Sequence, residues 1–270
     1  MTSSATTPHA TATATSLNRR PLWAKHGGAG SPLLVLLHGL GCCASVWDRL
    51  IPLLDAHWPG RWIAPDLRGH GHSFHQEPYT YSTLAADVAS LVKGEDDITI
   101  LGHSMGGAVG MLLATGQFGV TVRGLVAFSV KLDFDQGDVD RLHKIARGPV
   151  RWFDSEEEAI DRYLKVSGLK GLVDPASDMA RGGVVKVEGK FSLAMDPKVN
   201  YVVGSPLDPF IASLNVPVHL LVGADDKLVS FELMRQCDPN MTVIPGLGHN
   251  LHVEAAAQLW QHVEPFVVSR

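Results

Sequence analysis

A serine, a histidine and a carboxylate placed for nucleophilic catalysis are the first chemistry this chain offers. Gly102-His103-Ser104-Met105-Gly106 follows the apolar run Ile98-Thr99-Ile100-Leu101. Glycines on both sides of Ser104 permit a sharp strand-to-helix turn that lifts the hydroxyl above a sheet edge. The helix that begins there would aim its unpaired N–H groups at the same point, favouring negative charge. A serine hydroxyl is a poor nucleophile until a base takes its proton. Among 13 histidines, His249 is the candidate base, because Ile244-Pro245-Gly246-Leu247-Gly248-His249 is a glycine-flanked loop after the last strand-like run. His252, three residues on, is its rival. Gly223-Ala224-Asp225-Asp226 follows Leu220-Leu221-Val222 and offers two carboxylates, either of which could orient the imidazole. The order Ser, Asp, His suits a strand-elbow serine served by the ends of later strands. The oxyanion of an acyl-transfer intermediate would take one hydrogen bond from the Met105 amide and a second from Leu40, in His38-Gly39-Leu40-Gly41. Gly39, beside it, is a candidate pocket residue.

These groups need a scaffold that brings distant loops to one edge. Strand-like and helix-like segments alternate, which predicts an α/β fold with a largely parallel sheet flanked by helices. Leu33–Leu37 is a continuous apolar run of the kind covered on both faces. Arg61–Ala64, Ile98–Leu101, Val122–Val130, Val216–Val222 and Met241–Ile244 are the further expected strands. Helical spacing is expected near Trp47–Leu54, over Tyr81–Val92, from Ala108 to Ala114, and in a closing helix Val253–Val267. From Lys131 to about Phe210 the pattern changes to acidic clusters, several glycines and no long apolar run. Asp138–Arg147 and Ser155–Val166 read there as amphipathic helices, the second with Ser155 and Glu158 in capping-box spacing.

The chain has 270 residues, 45% hydrophobic and 19% charged, enough to bury a sizeable core. A net charge of −5 with no Lys/Arg block argues against a nucleic-acid partner. No apolar run approaches the ~18–20 residues of a membrane span. Three cysteines, two of them the adjacent Cys42 and Cys43, do not make a disulfide framework, so reduced thiols and a cytoplasmic protein are expected. Residues 1–19 are rich in Thr, Ala and Ser, without the apolar core of a secretory signal, and are expected to form a disordered tail.

Five blocks occur in one register: HGLG (38–41), PDLRGHGHS (65–73), GHSMGG (102–107), GADD (223–226) and GLGH (246–249). With them the chain resembles the α/β-hydrolase fold family over about residues 20–270. The resemblance implies a core of residues 20–130 and 211–270, with a mainly helical cap, 131–210, inserted after the sixth strand. It also favours Asp226 over Asp225 as the acid, since the family's acid closes a G-x-x-D turn. Trp152, Phe153 and Tyr163 in the insertion would either line the pocket or pack the lid onto the core.

Several features have plainer readings. His70, His72 and His75 are spaced like metal ligands, but no other motif completes a ligand set, and the resemblance assigns His70 to a loop packed near the oxyanion strand. Neither a metal nor a cofactor is therefore expected. Cys42 and Cys43 read as buried small residues and His103 as a packing residue of the elbow. The expected activity is hydrolysis of a carboxylic ester of a small-molecule, partly apolar substrate through an acyl-enzyme on Ser104. The same triad could instead serve C–C bond hydrolysis, lactone opening, perhydrolysis or cofactor-independent elimination. A non-catalytic ligand receptor is the alternative of another class.

Overall fold

A computed structural model describes residues 21–205, 207, 213–214 and 216–268. The expected tail at 1–19 lies outside them. The main sheet has seven strands: β1 (Ala24–Gly28), β2 (Leu33–Leu37), β3 (Arg61–Pro65), β4 (Ile98–His103), β5 (Val122–Phe128), β8 (Val218–Gly223) and β9 (Thr242–Ile244). Their spatial order is β1-β3-β2-β4-β5-β8-β9. Only β1 is antiparallel to its neighbour; every other pairing is parallel.

Apolar runs form the central strands because both faces are covered. Leu33, Val35 and Leu37 of β2, with Ile98 and Ile100 of β4, face one hydrophobic core. Leu34, Leu36 and Leu101 face the other, as the two-residue side-chain period of a strand requires. Helices α2 (Tyr81–Leu91) and α3 (Met105–Ala114) cover the first face. Helix α1 (Ile51–His57), a short 3-10 helix at Ala44–Trp47 and the C-terminal helices cover the second. The single closing helix expected at Val253–Val267 is three pieces, Leu251–Glu254, Ala256–Val263 and Pro265–Val268. Ala255, at φ −151° and ψ 63°, breaks the first from the second, and Pro265 opens the third.

Between β5 and β8 the chain makes α4 (Gln136–Ala146), α5 (Glu156–Val166), the short α6 (Asp178–Arg181) and a 3-10 helix at Pro197–Val202. Ser155 caps α5, its hydroxyl accepting from the Glu158 amide. This segment follows the fifth strand in chain order among the described residues, one strand earlier than the expected sixth. It also contains a hairpin that the sequence pattern does not reveal, β6 (Val184–Val187) with β7 (Lys190–Leu193). Most of its residues are exposed or half-buried, so no apolar run marks it. Glu188 and Gly189 turn it with φ of 48° and 84°, the double positive φ of a tight hairpin connection. Among the described residues no helix is long and apolar enough to cross a membrane.

The turn from β4 into α3 depends on two close backbone approaches. A Cβ on Gly102 would lie 2.6 Å from Gly107 Cα, and one on Gly106 would lie 2.2 Å from the Leu37 carbonyl oxygen. Neither obstacle is a side chain that can swing aside. Gly106→Ala is therefore expected to destabilise the protein by about 3 kcal/mol or more, as an overpacked core does. Urea unfolding of the two proteins checks this; equal midpoints would refute the close packing.

Candidate active site

Ser104 occupies the bend itself, at φ 50° and ψ −118°, a backbone conformation rare for a residue with a side chain. Its amide donates to the Phe128 carbonyl at 2.9 Å, and its own carbonyl accepts from Ala108 at 3.1 Å. Strain of this kind persists only where surrounding structure over-determines it. Met105 is the first residue of α3, so its N–H is one of those with no partner inside the helix. Leu40 lies in the loop just beyond β2, the strand that pairs with β4.

Asp226 closes the turn after β8, its amide donating to the Gly223 carbonyl at 3.1 Å. Its carboxylate is buried, with Oδ2 at 2.8 Å from His249 Nδ1 and Oδ1 accepting from the Leu228 amide at 2.9 Å. Burial alone would push this carboxyl up. The His249 hydrogen bond and charge, the Leu228 amide and the Ser129 hydroxyl outweigh burial and hold it below the usual carboxylate value. With Nδ1 donating to Asp226, Nε2 of His249 is left as the proton acceptor. Asp225 is exposed and meets the same loop only through its backbone, its amide donating to Leu247 at 2.9 Å.

The His249 loop is held by residues the sequence pattern does not single out as supports. Glu254 accepts from the amides on both sides of His249, Gly248 at 2.6 Å and Asn250 at 2.8 Å. His103 Nε2 donates to the His249 carbonyl at 3.0 Å, its ring stacked on Phe128. His103 thus packs the elbow and also ties it to the loop carrying the candidate base. His252, the rival, is fully buried among Trp47, His103 and Phe128, away from any opening.

The loop after β2, which carries the candidate oxyanion donor Leu40, has its own scaffold. His38 Nδ1 donates to the Gly39 carbonyl at 2.9 Å, and Nε2 accepts from the Leu67 amide at 2.9 Å. His70 Nε2 accepts from Gly41 at 3.2 Å, while Nδ1 donates to the Arg68 carbonyl at 3.2 Å. With both nitrogens so occupied, His70 has no lone pair to give a metal. Asp66 accepts from the amides of Ala44 at 2.7 Å and His72 at 2.8 Å. Cys42 and Cys43 are buried, and burial pushes the Cys43 thiol up to about 11 and that of Cys42 higher still. Both are thiols rather than nucleophilic thiolates at neutral pH.

Ser104, His249, Gly39, Leu40 and Met105 line one cavity of about 540 Å³. Trp152, Phe153 and Tyr163 do not line it, so the pocket role, one of the two expected of them, is corrected. Tyr163 is buried against Gly183 in the core that includes Trp47, and Phe153 exchanges backbone hydrogen bonds with Phe191. Trp152 is exposed and lines a separate groove with Asp154, Glu158 and Asp161. For Tyr163 the cause is helix phase: α5 turns Ala159, Ile160, Tyr163 and Leu164 inward, and its end, Lys165 to Ser167, reaches the cavity instead. Helix α4 contributes Asp138, Arg141 and Leu142, spaced three and four residues apart on one face.

Four fully buried histidines surround this site as neutral rings. Burial lowers His38 to about 4, His70 and His252 to about 3, and His103 well below its ordinary value. Their folded pKa values lie below the unfolded value of about 6.5, so the unfolded chain binds more protons as pH falls. The stability they allow is complete above pH ~6.5 and is lost as pH drops toward the folded values. Each contributes a slope of up to about 1.4 kcal/mol per pH unit. Urea midpoints are expected to hold between pH 7 and 8 and to fall steeply from pH 6.5 to 5; a flat profile across that range would contradict the neutral scaffold.

A family model described as "Alpha/beta hydrolase family" matches residues 34–261. Protein phosphatase methylesterase 1 of Bos taurus is 30% identical over 169 residues, covering 60% of this chain and 44% of that protein. The chain thus spans less than half the length of that relative. The pimeloyl-[acyl-carrier protein] methyl ester esterase of Edwardsiella ictaluri (strain 93-146) is 28% identical over 249 residues, covering 88% of this chain and 92% of the esterase. Among solved structures, E-2-(acetamidomethylene)succinate hydrolase superposes with a TM-score of 0.76 at 22% identity, covering 90% of this chain and 94% of that one. The thioesterase domain from the curacin biosynthetic pathway gives 0.73 at 20% identity, covering 89% and 93%. At these identities the two structures speak for the fold alone.

Proposed function

The chain belongs to the alpha/beta hydrolase family, and we propose that it hydrolyses a carboxylic ester through Ser104, His249 and Asp226. The observation that carries this reading is the buried Asp226 carboxylate at 2.8 Å from His249 Nδ1, with His249 and Ser104 lining one cavity. Ser104 Oγ attacks the ester carbonyl carbon while His249 Nε2 takes its proton. The carbonyl π electrons move to oxygen, and the Leu40 and Met105 amides bind that oxyanion. Collapse of the tetrahedral intermediate breaks the bond to the alcohol oxygen, which leaves with the proton from His249. Water, deprotonated by His249, then attacks the acyl-enzyme and releases the carboxylic acid and a free Ser104 hydroxyl. Asp226 holds the imidazole in the required tautomer and stabilises the imidazolium.

Two relatives are named for methyl esters, which supports a small leaving alcohol here. We read the segment 131–210 as the cap that shapes the substrate cavity, because α4 and the end of α5 line the same cavity as Ser104. Ser104→Ala is expected to lower kcat for a p-nitrophenyl ester by about 10⁴-fold or more, with an unchanged far-ultraviolet spectrum. Asp226→Asn should cost about 10⁴-fold by supplying the wrong tautomer. Turnover retained in Ser104→Ala would sink the mechanism.

A further inference from the structure

A second cavity, of about 490 Å³, adjoins the one that holds Ser104. Leu40, Arg141, Leu142, Lys165 and Val166 line both, so the two are continuous past the proposed oxyanion donor. The charge of this second chamber runs against the chain as a whole. In a protein of net charge −5, Arg141, Arg151, Arg162 and Lys165 line it, and no carboxylate does among the described residues. Nearby carboxylates are already shared: Asp138 bridges Lys131 and Arg141, and Asp161 bridges Lys165 and Lys170. Arg151 lies over the Phe153 ring at 5.0 Å, and among the described residues neither it nor Arg162 enters an ion pair. Arg151, Arg162 and Lys165 also line a neighbouring groove together with Asp154, Glu158 and Asp161, whereas the chamber itself presents the cations alone among the described residues.

The remaining wall is mostly apolar, with Ser192 and Asn200 as its polar side chains, and part of it is exposed. Ile145, Val150 and Val166 are 47%, 40% and 42% exposed, and all three line this chamber. A wall of exposed aliphatic groups leading to guanidinium donors suits a limb that is hydrocarbon along its length and anionic at its end. We propose that this chamber is a specificity subsite for an anionic limb of the substrate, an aliphatic chain ending in a carboxylate or phosphate. The chain threads past Leu40, Leu142 and Val166, so that its ester carbonyl reaches Ser104 while its terminal anion meets Arg151 and Arg162. This rests on the esterase reading of the neighbouring cavity, and binding to an inactive variant separates the two.

The test is calorimetric titration of Ser104→Ala with methyl hydrogen adipate, hexyl phosphate and neutral dimethyl adipate, with and without Arg151→Gln/Arg162→Gln. At least one anionic ligand should bind about tenfold or more tighter than the diester, the better one showing whether carboxylate or phosphate is preferred. The double substitution should remove that advantage while leaving the diester unchanged, and salt should narrow it as screening shortens. Equal affinities for all three ligands, or an advantage that survives the double substitution, would overturn the subsite. Failure of the wild type to hydrolyse either adipate ester, with selective binding intact, would count against the esterase reading and leave the subsite standing.

Discussion

The site hangs on the contact between the elbow glycine and the neighbouring strand. Gly106 sits where any side chain would strike the Leu37 and His38 carbonyls. That approach lets α3 start directly above β4, and so lets Ser104 hold a positive φ with its hydroxyl off the sheet. It also brings the serine beside the loop that follows β2, where Leu40 lies. One backbone contact therefore sets both the proposed nucleophile and its approach to a proposed oxyanion donor. A larger residue at position 106 would separate those two loops rather than adjust either.

Around that contact the protein uses uncharged histidines as structural connectors. His38 and His70 each give one nitrogen as donor and one as acceptor, tying the loop after β2 to the loop after β3. His103 joins the elbow to the His249 carbonyl. An imidazole suits this role because a single neutral ring satisfies a donor and an acceptor at once. The consequence is a site whose rigidity depends on those rings staying unprotonated, and burial secures that at neutral pH. His249 differs in facing a carboxylate and lining the cavity, where a proton can be taken and returned.

Much of this was legible in the sequence because the residues involved answer to local rules. Leu33–Leu37 and Ile98–Leu101 are apolar on every residue because both sheet faces are covered, and that pattern needs no partner to be read. The glycines flanking Ser104 likewise declare a turn. Asp225 and Asp226 are adjacent and chemically identical; only the three-dimensional turn buries one against His249 and exposes the other. The hairpin Val184–Leu193 has no sequence signature because its largely exposed strands carry no apolar alternation. The type of Tyr163 allows either a pocket or a packing role, and the phase of α5 sends it into the core. Glu254 was invisible as a support because its partners are backbone amides, which have no sequence signature.

These parts divide the labour between two regions. The sheet and its loops hold the proposed triad, and α4 with the end of α5 shapes what can approach it. The central claim is that Ser104 becomes a nucleophile because His249, oriented by Asp226, removes its proton. Fluorophosphonate labelling followed by peptide mass mapping tests it most directly. A single adduct on the peptide carrying Ser104, formed quickly by the wild type and lost in His249→Gln, is the predicted result. Labelling at another residue, or at Ser104 with an undiminished rate in His249→Gln, would contradict it.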